Sequence, residues 1–244
     1  WTEVNNLNVA RGRMGSNGTS TSALGYGGAN PSISNQTESW NGTNWTAVAT
    51  LNTARQQLAG AGADNTSALA FGGLNPPTFY ANTESWNGSS WTELNDLNTA
   101  RRDLGGNGII TSALAYGGDT PGATAATESW NGTSWTDVAD LNTARRLAGA
   151  GTDNTNALGI GGETPGGASA LTESWNGLIW TETSDLNTAR QELGATGASN
   201  SSALAFGGSL NPPAVAFTEE WNAGINLGAW YTGGSMNTAR QNLG

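Results

Sequence analysis

The stretch TESWNGTSW at residues 127–135 decides the fold of this chain, because versions of it recur along the whole sequence. The other versions are TESWNGTNW at 37–45, TESWNGSSW at 83–91, TESWNGLIW at 172–180 and a diverged TEEWNAGINLGAW at 218–230. Each places a tryptophan on either side of an Asn-Gly pair or its remnant. Asn-Gly accepts the positive φ angles of a type I′ hairpin turn at little steric cost. The stretch therefore predicts a β-hairpin with one tryptophan in each strand.

Two further sequence features recur with the same period as this hairpin. The second tryptophans of the repeat are Trp1, Trp45, Trp91, Trp135, Trp180 and Trp230, at steps of 44, 46, 44, 45 and 50 residues. Each is followed ten residues later by the arginine of an Asn-x-Ala-Arg phrase, at Arg11, Arg55, Arg101, Arg145, Arg190 and Arg240. A Gly-Gly pair also recurs at a corresponding place in five units, at 27–28, 72–73, 117–118, 161–162 and 207–208. A period near 45 residues with several short strand signals per unit is typical of a β-propeller, in which each unit forms one four-stranded blade.

One unit, residues 55–96, shows the four strands. The small-residue stretch QQLAGAGA predicts strand A, and TSALAFGG, which alternates small and large residues, predicts strand B after a turn at Asp64-Asn65. TESW predicts strand C, and Trp91 opens strand D. We expect the small residues of strand A to face a narrow central channel, where the innermost strands crowd together.

These residues resemble the kelch-repeat propellers, including those of galactose-oxidase type. The resemblance rests on Leu69-Ala70-Phe71-Gly72-Gly73, followed by Trp86 and Trp91, and it extends over essentially the whole chain. The repeats also look like uncharacterised kelch-like proteins of phage and environmental bacteria. This chain departs from the kelch pattern in its first aromatic residue, in the spacing of its aromatics and in the number of its units. The resemblance implies a propeller fold and implies little about function, since propellers host enzymes, lectins and scaffolds alike.

The sequence thus predicts an all-β, five-bladed β-propeller of four-stranded antiparallel blades, as a single domain over 1–244. Strand D signals outnumber the blades by one, and WTEVNNLN at 1–8 matches the repeat better than the segment at 229–237 does. We therefore expect residues 1–5 to close the ring as the outer strand of the last blade. Residues 222–244 are then a diverged tail or partial extra unit, or a strand that pairs with a neighbouring molecule.

The repeated large and charged residues are interpreted first as scaffold. We expect the tryptophans to fill the wedges between diverging blades; a carbohydrate-stacking role for some of them is the alternative. They are Trp40, Trp45, Trp86, Trp91, Trp130, Trp135, Trp175 and Trp180. The repeated glutamate and arginine, such as Glu84 and Arg55, are expected to pair and hold a loop at the blade edge.

Composition narrows the function. Cysteine and histidine are absent, so thiolate chemistry, histidine acid–base chemistry and the usual zinc and copper sites are excluded, and we expect no cofactor. A net charge of −10 argues against nucleic-acid binding. The longest apolar runs are too short to span a bilayer, so no membrane insertion is expected. The abundance of Gly, Ala, Ser, Thr and Asn suits an extracellular or virion surface.

Specificity is expected where the repeats differ, which is chiefly in the loops between strands B and C. Phe79, Tyr80 and Phe217 are apolar loop residues that the scaffold does not require, and each could instead cover a blade edge. Loop asparagines complete the candidate binding face, at Asn30, Asn75 and Asn211.

The function predicted is that of a non-enzymatic binding or structural module, with a protein partner or self-assembly. A glycan-binding propeller lectin is the alternative. A propeller hydrolase comes third and requires clustered acids at one mouth of the channel. Paired acids such as Asp137 with Asp140, or Asp119 with Glu163, are no more specific than expected in a chain with nineteen acids.

Overall fold

The repeats form five four-stranded antiparallel sheets, which stand as blades around a central channel. The computed structural model describes residues 1–224 and 228–243, and within these ranges the regular elements are all strands. Each blade runs in the order A, B, C, D from the channel outward, because consecutive strands pair as hairpins. The predicted all-β propeller with four-stranded blades is confirmed.

The strands have the following bounds. Blade 1 contains β1 (Gly15–Thr19), β2 (Ser22–Tyr26), β3 (Thr37–Trp40) and β4 (Trp45–Val48). Blade 2 contains β5 (Ala59–Asp64), β6 (Ser67–Phe71), a small loop hairpin of β7 (Leu74–Asn75) and β8 (Thr78–Phe79), then β9 (Thr83–Trp86) and β10 (Trp91–Glu93). Blade 3 contains β11 (Gly105–Ile109), β12 (Ser112–Tyr116), β13 (Thr127–Trp130) and β14 (Trp135–Asp137). Blade 4 contains β15 (Arg146–Asp153), β16 (Asn156–Thr164), β17 (Gly167–Trp175) and β18 (Trp180–Glu182). Blade 5 contains β19 (Gly194–Ser199), β20 (Ser202–Phe206), β21 (Thr218–Asn222) and β22 (Ala229–Thr232).

Four hydrophobic clusters fill the four interfaces between consecutive blades. Between blades 1 and 2, for example, Leu24 and Tyr26 of β2 pack against Ala70 of β6 and against Trp86 and Trp91. The innermost strands pack in chain order, β1 on β5, β5 on β11, β11 on β15 and β15 on β19. The core is therefore distributed between the blades, as a propeller requires.

The two tryptophans of each repeat have separate hydrogen-bonding partners. The first donates its indole N–H to a carbonyl in the A–B turn of its own blade, as Trp86 does to Asn65 at 3.0 Å. In blades 2 to 5 the second donates to the threonine that opens strand C of the preceding blade, as Trp91 does to Thr37 Oγ1 at 3.1 Å. The repeated phrase thus builds one strand pair and also ties each blade to its neighbour.

The loop between these tryptophans differs from the predicted type I′ turn. It has four residues, since Trp86 pairs directly with Trp91. Gly88 has a φ of 91°, whereas Asn87 keeps a negative φ and accepts the backbone N–H groups of Ser89 and Ser90 with its side-chain oxygen. The asparagine therefore acts through its side chain, and only the glycine supplies positive φ.

Small residues of strand A line the channel, and the glycines among them have a second cause. A Cβ atom on Gly60 would lie 1.8 Å from the Tyr26 hydroxyl of the preceding blade, and one on Gly149 would lie 2.3 Å from the Tyr116 hydroxyl. Both hydroxyls donate to backbone carbonyls of the next blade, Tyr26 to Leu69 at 3.1 Å. Strand A has glycine at these positions because a tyrosine side chain from the preceding blade packs directly against its backbone.

The prediction that residues 1–5 form the outer strand of the last blade is wrong. That position is filled by β22, in which Trp230 pairs with Trp221 of β21. A strand contributed by the same C–D hairpin closes the blade locally and leaves no position there for a distant segment. The N-terminal residue lies beyond blade 5 in the ring, at the position that the outer strand of a following blade would occupy. Trp1 donates its indole N–H to Thr218 Oγ1 at 3.3 Å, and its ring centre lies 5.5 Å from that of Phe206. Trp91 makes the equivalent contacts, a hydrogen bond to Thr37 and a ring contact with Tyr26.

Candidate functional site

The mouth of the channel contains residues that lie just before the A strands of blades 1, 2, 3 and 5, together with their counterpart in the C-terminal segment. Arg13, Gln57, Asp103, Glu192 and Asn242 each stand two residues after the repeat arginine, and all five have a positive φ. Backbone hydrogen bonds link neighbours around the mouth, from the Gln57 N–H to the Arg13 carbonyl at 2.7 Å and from the Asp103 N–H to the Gln57 carbonyl at 3.0 Å. The Arg13 N–H donates in turn to the Asn242 carbonyl at 3.3 Å. The side chains at this position are therefore brought together at one end of the channel.

A cavity of about 400 Å³ lies at this mouth. Residues from all five blades line it, together with Asn242 and Leu243 from the C-terminal segment. Its size is at the lower end of the range for small-molecule sites.

Every arginine outside the repeat is at this mouth. Of the nine basic residues, six are the repeat arginines, and the remaining three are Arg13, Arg102 and Arg146. All three line the cavity. Since the repeat explains the other six, the position of these three is the strongest sign that the mouth has a role of its own.

An ion-pair network connects two of these arginines through Asp119. Arg102 Nη2 lies 2.8 Å from Asp119 Oδ2, and Arg146 Nη2 lies 3.2 Å from the same oxygen. Arg146 Nη1 also contacts Glu163 Oε2 at 2.6 Å. Burial opposes ionisation of Asp119, but hydrogen bonds from Arg102 and from the Gly122 N–H, with the charge of Arg146, hold its pKa below the ordinary value. The network therefore fixes the guanidinium planes before any ligand arrives.

Asp103 has the opposite titration behaviour at the same mouth. Gln57 Nε2 donates to both carboxylate oxygens, at 2.8 and 2.7 Å, and Arg102 Nε lies 3.7 Å away. Burial raises the pKa of Asp103 by more than these contacts and the nearby arginines lower it. Asp103 therefore takes up a proton more readily than an ordinary aspartate does.

The loops between strands B and C surround this mouth. Their first residues bridge to the segments just before strand A, as Leu74 does to Gln56 and Asp119 to Arg102. Phe79, half-buried, lies beneath the Arg102 guanidinium, whose central carbon is 5.4 Å from the ring centre. The predicted loop face and the channel mouth are thus one surface.

The other predicted loop residues lie on this surface in different settings. Tyr80 is half-buried, and its carbonyl accepts the Arg101 N–H. Asn30 donates its side-chain amide to the Ala10 carbonyl at 2.8 Å, and Asn75 donates to Ala54 at 3.4 Å, so both amides stabilise the loop. Phe217 is 40% exposed.

Asn211 lies in the same blade 5 loop as Phe217. It is exposed, adopts a φ of 67° and donates its backbone N–H to Ser209 Oγ at 3.1 Å. Neither Asn211 nor Phe217 lines the mouth cavity.

The repeat residues lie apart from the mouth cavity. Arg55 and Glu84 form an ion pair with both side chains fully buried, and the other four Arg–Glu pairs have at most 3% of either side chain exposed. Most repeat tryptophans are buried as well, at Trp40, Trp86, Trp91, Trp130, Trp135, Trp175 and Trp180. Trp45 is half-buried. Ring-related stacking sites for sugars would need exposed indoles, which these positions do not offer.

Sequence reasoning missed the arginine network. Arg102 and Arg146 directly follow a repeat arginine, and Arg13 follows one at two residues, so they stand out as departures from the repeat. Asp119 and Glu163, an unspecific pair in the sequence, both contact Arg146 in the structure. The sequence signal that could have identified them is an additional arginine, one or two residues after a repeat arginine, that the other units lack.

Two absences hold for the part of the chain that the structure describes. It contains no group of acids that could hold a metal ion. None of its elements is a helix long and apolar enough to cross a membrane.

Comparison with solved structures supports the architecture. The chain superposes on the solved structure of a protein called YjhT with a TM-score of 0.75, over 98% of this chain and 88% of that one, at 13% sequence identity. The fold is that of a β-propeller. No protein-family model matches the sequence, and no curated protein sequence matches it either. At this identity the likeness concerns the fold alone.

Proposed function

We propose that this propeller is a non-enzymatic binding module whose partner, a protein, docks on the channel mouth and the surrounding B–C loops. The observation that carries the proposal is the convergence of Arg13, Arg102 and Arg146, the three arginines that the repeat does not explain, on one cavity. Charged residues that vary within a constant scaffold are characteristic of recognition surfaces.

The make-up of this face favours a macromolecular partner. Arg102 and Arg146 are already paired with Asp119 and Glu163, so they present oriented polar groups without a large excess of charge. Arginine and aromatic residues, here with Phe79 beneath Arg102, are enriched among residues that dominate binding at protein interfaces. The proline-containing loops add a broad rim around the cavity.

The same pairing is the reason for proposing a non-enzymatic role. Acids do gather at one mouth, as a hydrolase would require, but Asp119 and Glu163 are engaged by arginines and Asp103 by Gln57. A general acid needs a carboxyl poised to release its proton to a substrate. These carboxylates serve instead to position the guanidinium groups.

The test is site-specific photo-cross-linking with the full chain. A benzophenone amino acid replaces Glu192 at the mouth, and a second variant carries it at Leu178, which is 78% exposed on a C–D loop at the opposite end of the blades. The proposal expects a discrete protein adduct from position 192 that is absent from position 178. Arg13→Ala should reduce its yield several-fold. Equal labelling from both positions, or an adduct insensitive to Arg13→Ala, would refute it.

A glycan ligand is the second candidate, favoured by the cavity itself. Its lining of guanidinium, carboxylate and amide groups suits the hydroxyl pattern of a sugar, and about 400 Å³ accommodates one or two sugar rings. A glycan array probed with the wild-type chain and with Arg13→Ala tests this. Arg13 is exposed and outside the Asp119 network, so its substitution leaves the scaffold intact. A glycan hit that Arg13→Ala does not weaken would contradict binding at the mouth.

Family and location belong to the same proposal. The Gly-Gly pairs after strand B and the paired tryptophans support a distant kelch relationship and a resemblance to kelch-like proteins of phage and environmental bacteria. The composition supports a place on an extracellular or virion surface.

A further inference from the structure

Five of the six repeat arginines each pair with a glutamate of the blade that follows them in the chain. Arg55, for example, precedes β5 and pairs with Glu84 on the C strand of the same blade, while the Asn52 N–H donates to that carboxylate at 2.7 Å. The other pairs are Arg11–Glu38, Arg101–Glu128, Arg145–Glu173 and Arg190–Glu219. The pair therefore pins the connection from one blade onto strand C of the next.

The sixth copy of the Asn-x-Ala-Arg motif, Asn237–Arg240, has the backbone position of the other five but no glutamate partner among the described residues. The Gly208 N–H donates to the Arg240 carbonyl at 2.7 Å, as the Gly73 N–H does to Arg101 at 2.8 Å. The backbone therefore follows the repeat. Within residues 1–224 and 228–243, however, Arg240 is exposed and has no acid within ion-pair distance, whereas the five paired arginine side chains are at most 1% exposed.

The N-terminal segment occupies the outer edge of the same sixth place. Trp1 donates to Thr218 of blade 5, just as Trp91, Trp135, Trp180 and Trp230 each donate to a threonine of the blade before them. On the other side, Asn5 donates to the Thr43 carbonyl of blade 1 at 2.9 Å, as Asn95 does to Thr133 at 2.8 Å. An inner segment (237–243) and an outer segment (1–8) thus flank a gap that strands B and C fill in every complete blade.

The walls of this gap are apolar and incompletely covered. Leu204 and Phe206 of β20 are half-buried, whereas their counterparts Leu69 and Phe71 in blade 2 are fully buried. Across the gap, Trp45 is half-buried, while Trp91 is 6% exposed. Of the described inner strands, β19 and β1 do not pack on each other as consecutive ones do.

We infer that the gap between blades 5 and 1 is a docking site for a β-hairpin of the repeat's own type, made of strands B and C. Its glutamate would bind Arg240, its first tryptophan would pack beside Trp1, and its strands would pair with the two flanking segments. The charge of Arg240 and the uncovered faces of Phe206 and Trp45 specify this occupant. The inference is independent of the function proposed for the mouth.

The experiment extends the full chain after Gly244 with a copy of residues 106–134, which continues the register because NTARQNLG at 237–244 aligns with NTARRDLG at 98–105. This copy holds strands B and C with Glu128. Docking should raise the Tm by about 5 °C or more, as expected for a few kcal/mol in a chain of this size. It should also shield Trp45 from acrylamide and make the extension resistant to chymotrypsin.

Two matched variants make the result specific. Changing Glu128→Gln in the appended copy, or Arg240→Ala in the chain, should each remove most of the gain in Tm. An extension that is digested like a free tail and leaves Trp45 quenching unchanged overturns the inference. So does light scattering that shows the unextended chain to be a dimer with Trp45 shielded, since a second copy would then cover the gap.

Discussion

At the residue scale, buried polar groups of the repeat have partners far away in the sequence. Trp91 and Thr37 are 54 residues apart, and Tyr26 and Leu69 are 43 apart, yet each pair is hydrogen bonded. The sequence could place the tryptophans in a hairpin because the Asn-Gly signal is local. It could not identify their N–H partners, since these depend on how neighbouring blades stack.

Gly60 provides the sharpest steric prediction. Gly60→Ala should destabilise the protein by about 2 kcal/mol, because the new Cβ would overlap the Tyr26 hydroxyl and force the blades apart. Urea unfolding measures the change. Gly234→Ala is the matched control, since a Cβ there meets nothing within 4 Å. A Gly60→Ala protein as stable as this control would show that the blade contact is looser than described.

The buried Arg–Glu pair gives a second prediction. Glu84→Gln should cost about 3–5 kcal/mol in the free energy of unfolding, because it leaves the fully buried Arg55 guanidinium without a counter-charge. Glu220→Gln, at an exposed position of β21, should change stability by less than about 0.5 kcal/mol. Equal effects of the two substitutions in denaturant titrations would contradict a buried pair.

Asp119 predicts a pH dependence at the mouth. Its pKa in the folded protein lies below the ordinary 3.8, so its contribution to stability is fully present above that pH and is lost as the pH falls through the lowered value. Asp119→Asn should therefore reduce the free energy of unfolding by about 2 kcal/mol near neutral pH, and the difference should shrink as the pH falls below 3.8. A difference that instead grows on acidification would reverse the assigned role.

At the element scale, the local sequence pattern of the C–D hairpin predicts its strands and their pairing but not its turn type. The two strands and their tryptophan pairing follow from TESWNG, because hairpin formation is a property of adjacent residues. The turn type did not follow, because Asn131 uses its side-chain oxygen to accept the N–H groups of Thr133 and Ser134 at 2.9 Å each. An acceptor in the side chain replaces the unusual backbone angle that the pattern suggested.

This loop geometry predicts a contrast between two substitutions of Asn131. Asn131→Ala should destabilise the protein by about 1 kcal/mol, because two N–H groups lose their acceptor. Asn131→Asp keeps the acceptor and should recover most of that loss. Thermal unfolding of the two variants side by side decides the matter. If aspartate is as harmful as alanine, the side-chain acceptor is not what holds the loop.

For the whole molecule, the number of complete blades follows from the sequence. The number of blade positions around the channel, filled or partly filled, does not. Counting repeats gives five blades, and the surplus tryptophan suggested a strand exchange within blade 5. Trp1 instead contacts Thr218 as a tryptophan of a further blade would. The mouth was missed for a similar reason, since Arg13, Arg102 and Arg146 come together only when the A strands gather around one axis.

Five blades leave a sixth, partly filled place between blades 5 and 1, and ¹⁹F NMR of protein labelled with 5-fluorotryptophan can test for it. The eleven resonances can be assigned by single Trp→Phe substitutions. A soluble paramagnetic agent should broaden two of them strongly, those of Trp1 (60% exposed) and the half-buried Trp45, and spare the other nine. If Trp45 is protected like Trp91, the ring closes directly between blades 5 and 1, and the account is wrong.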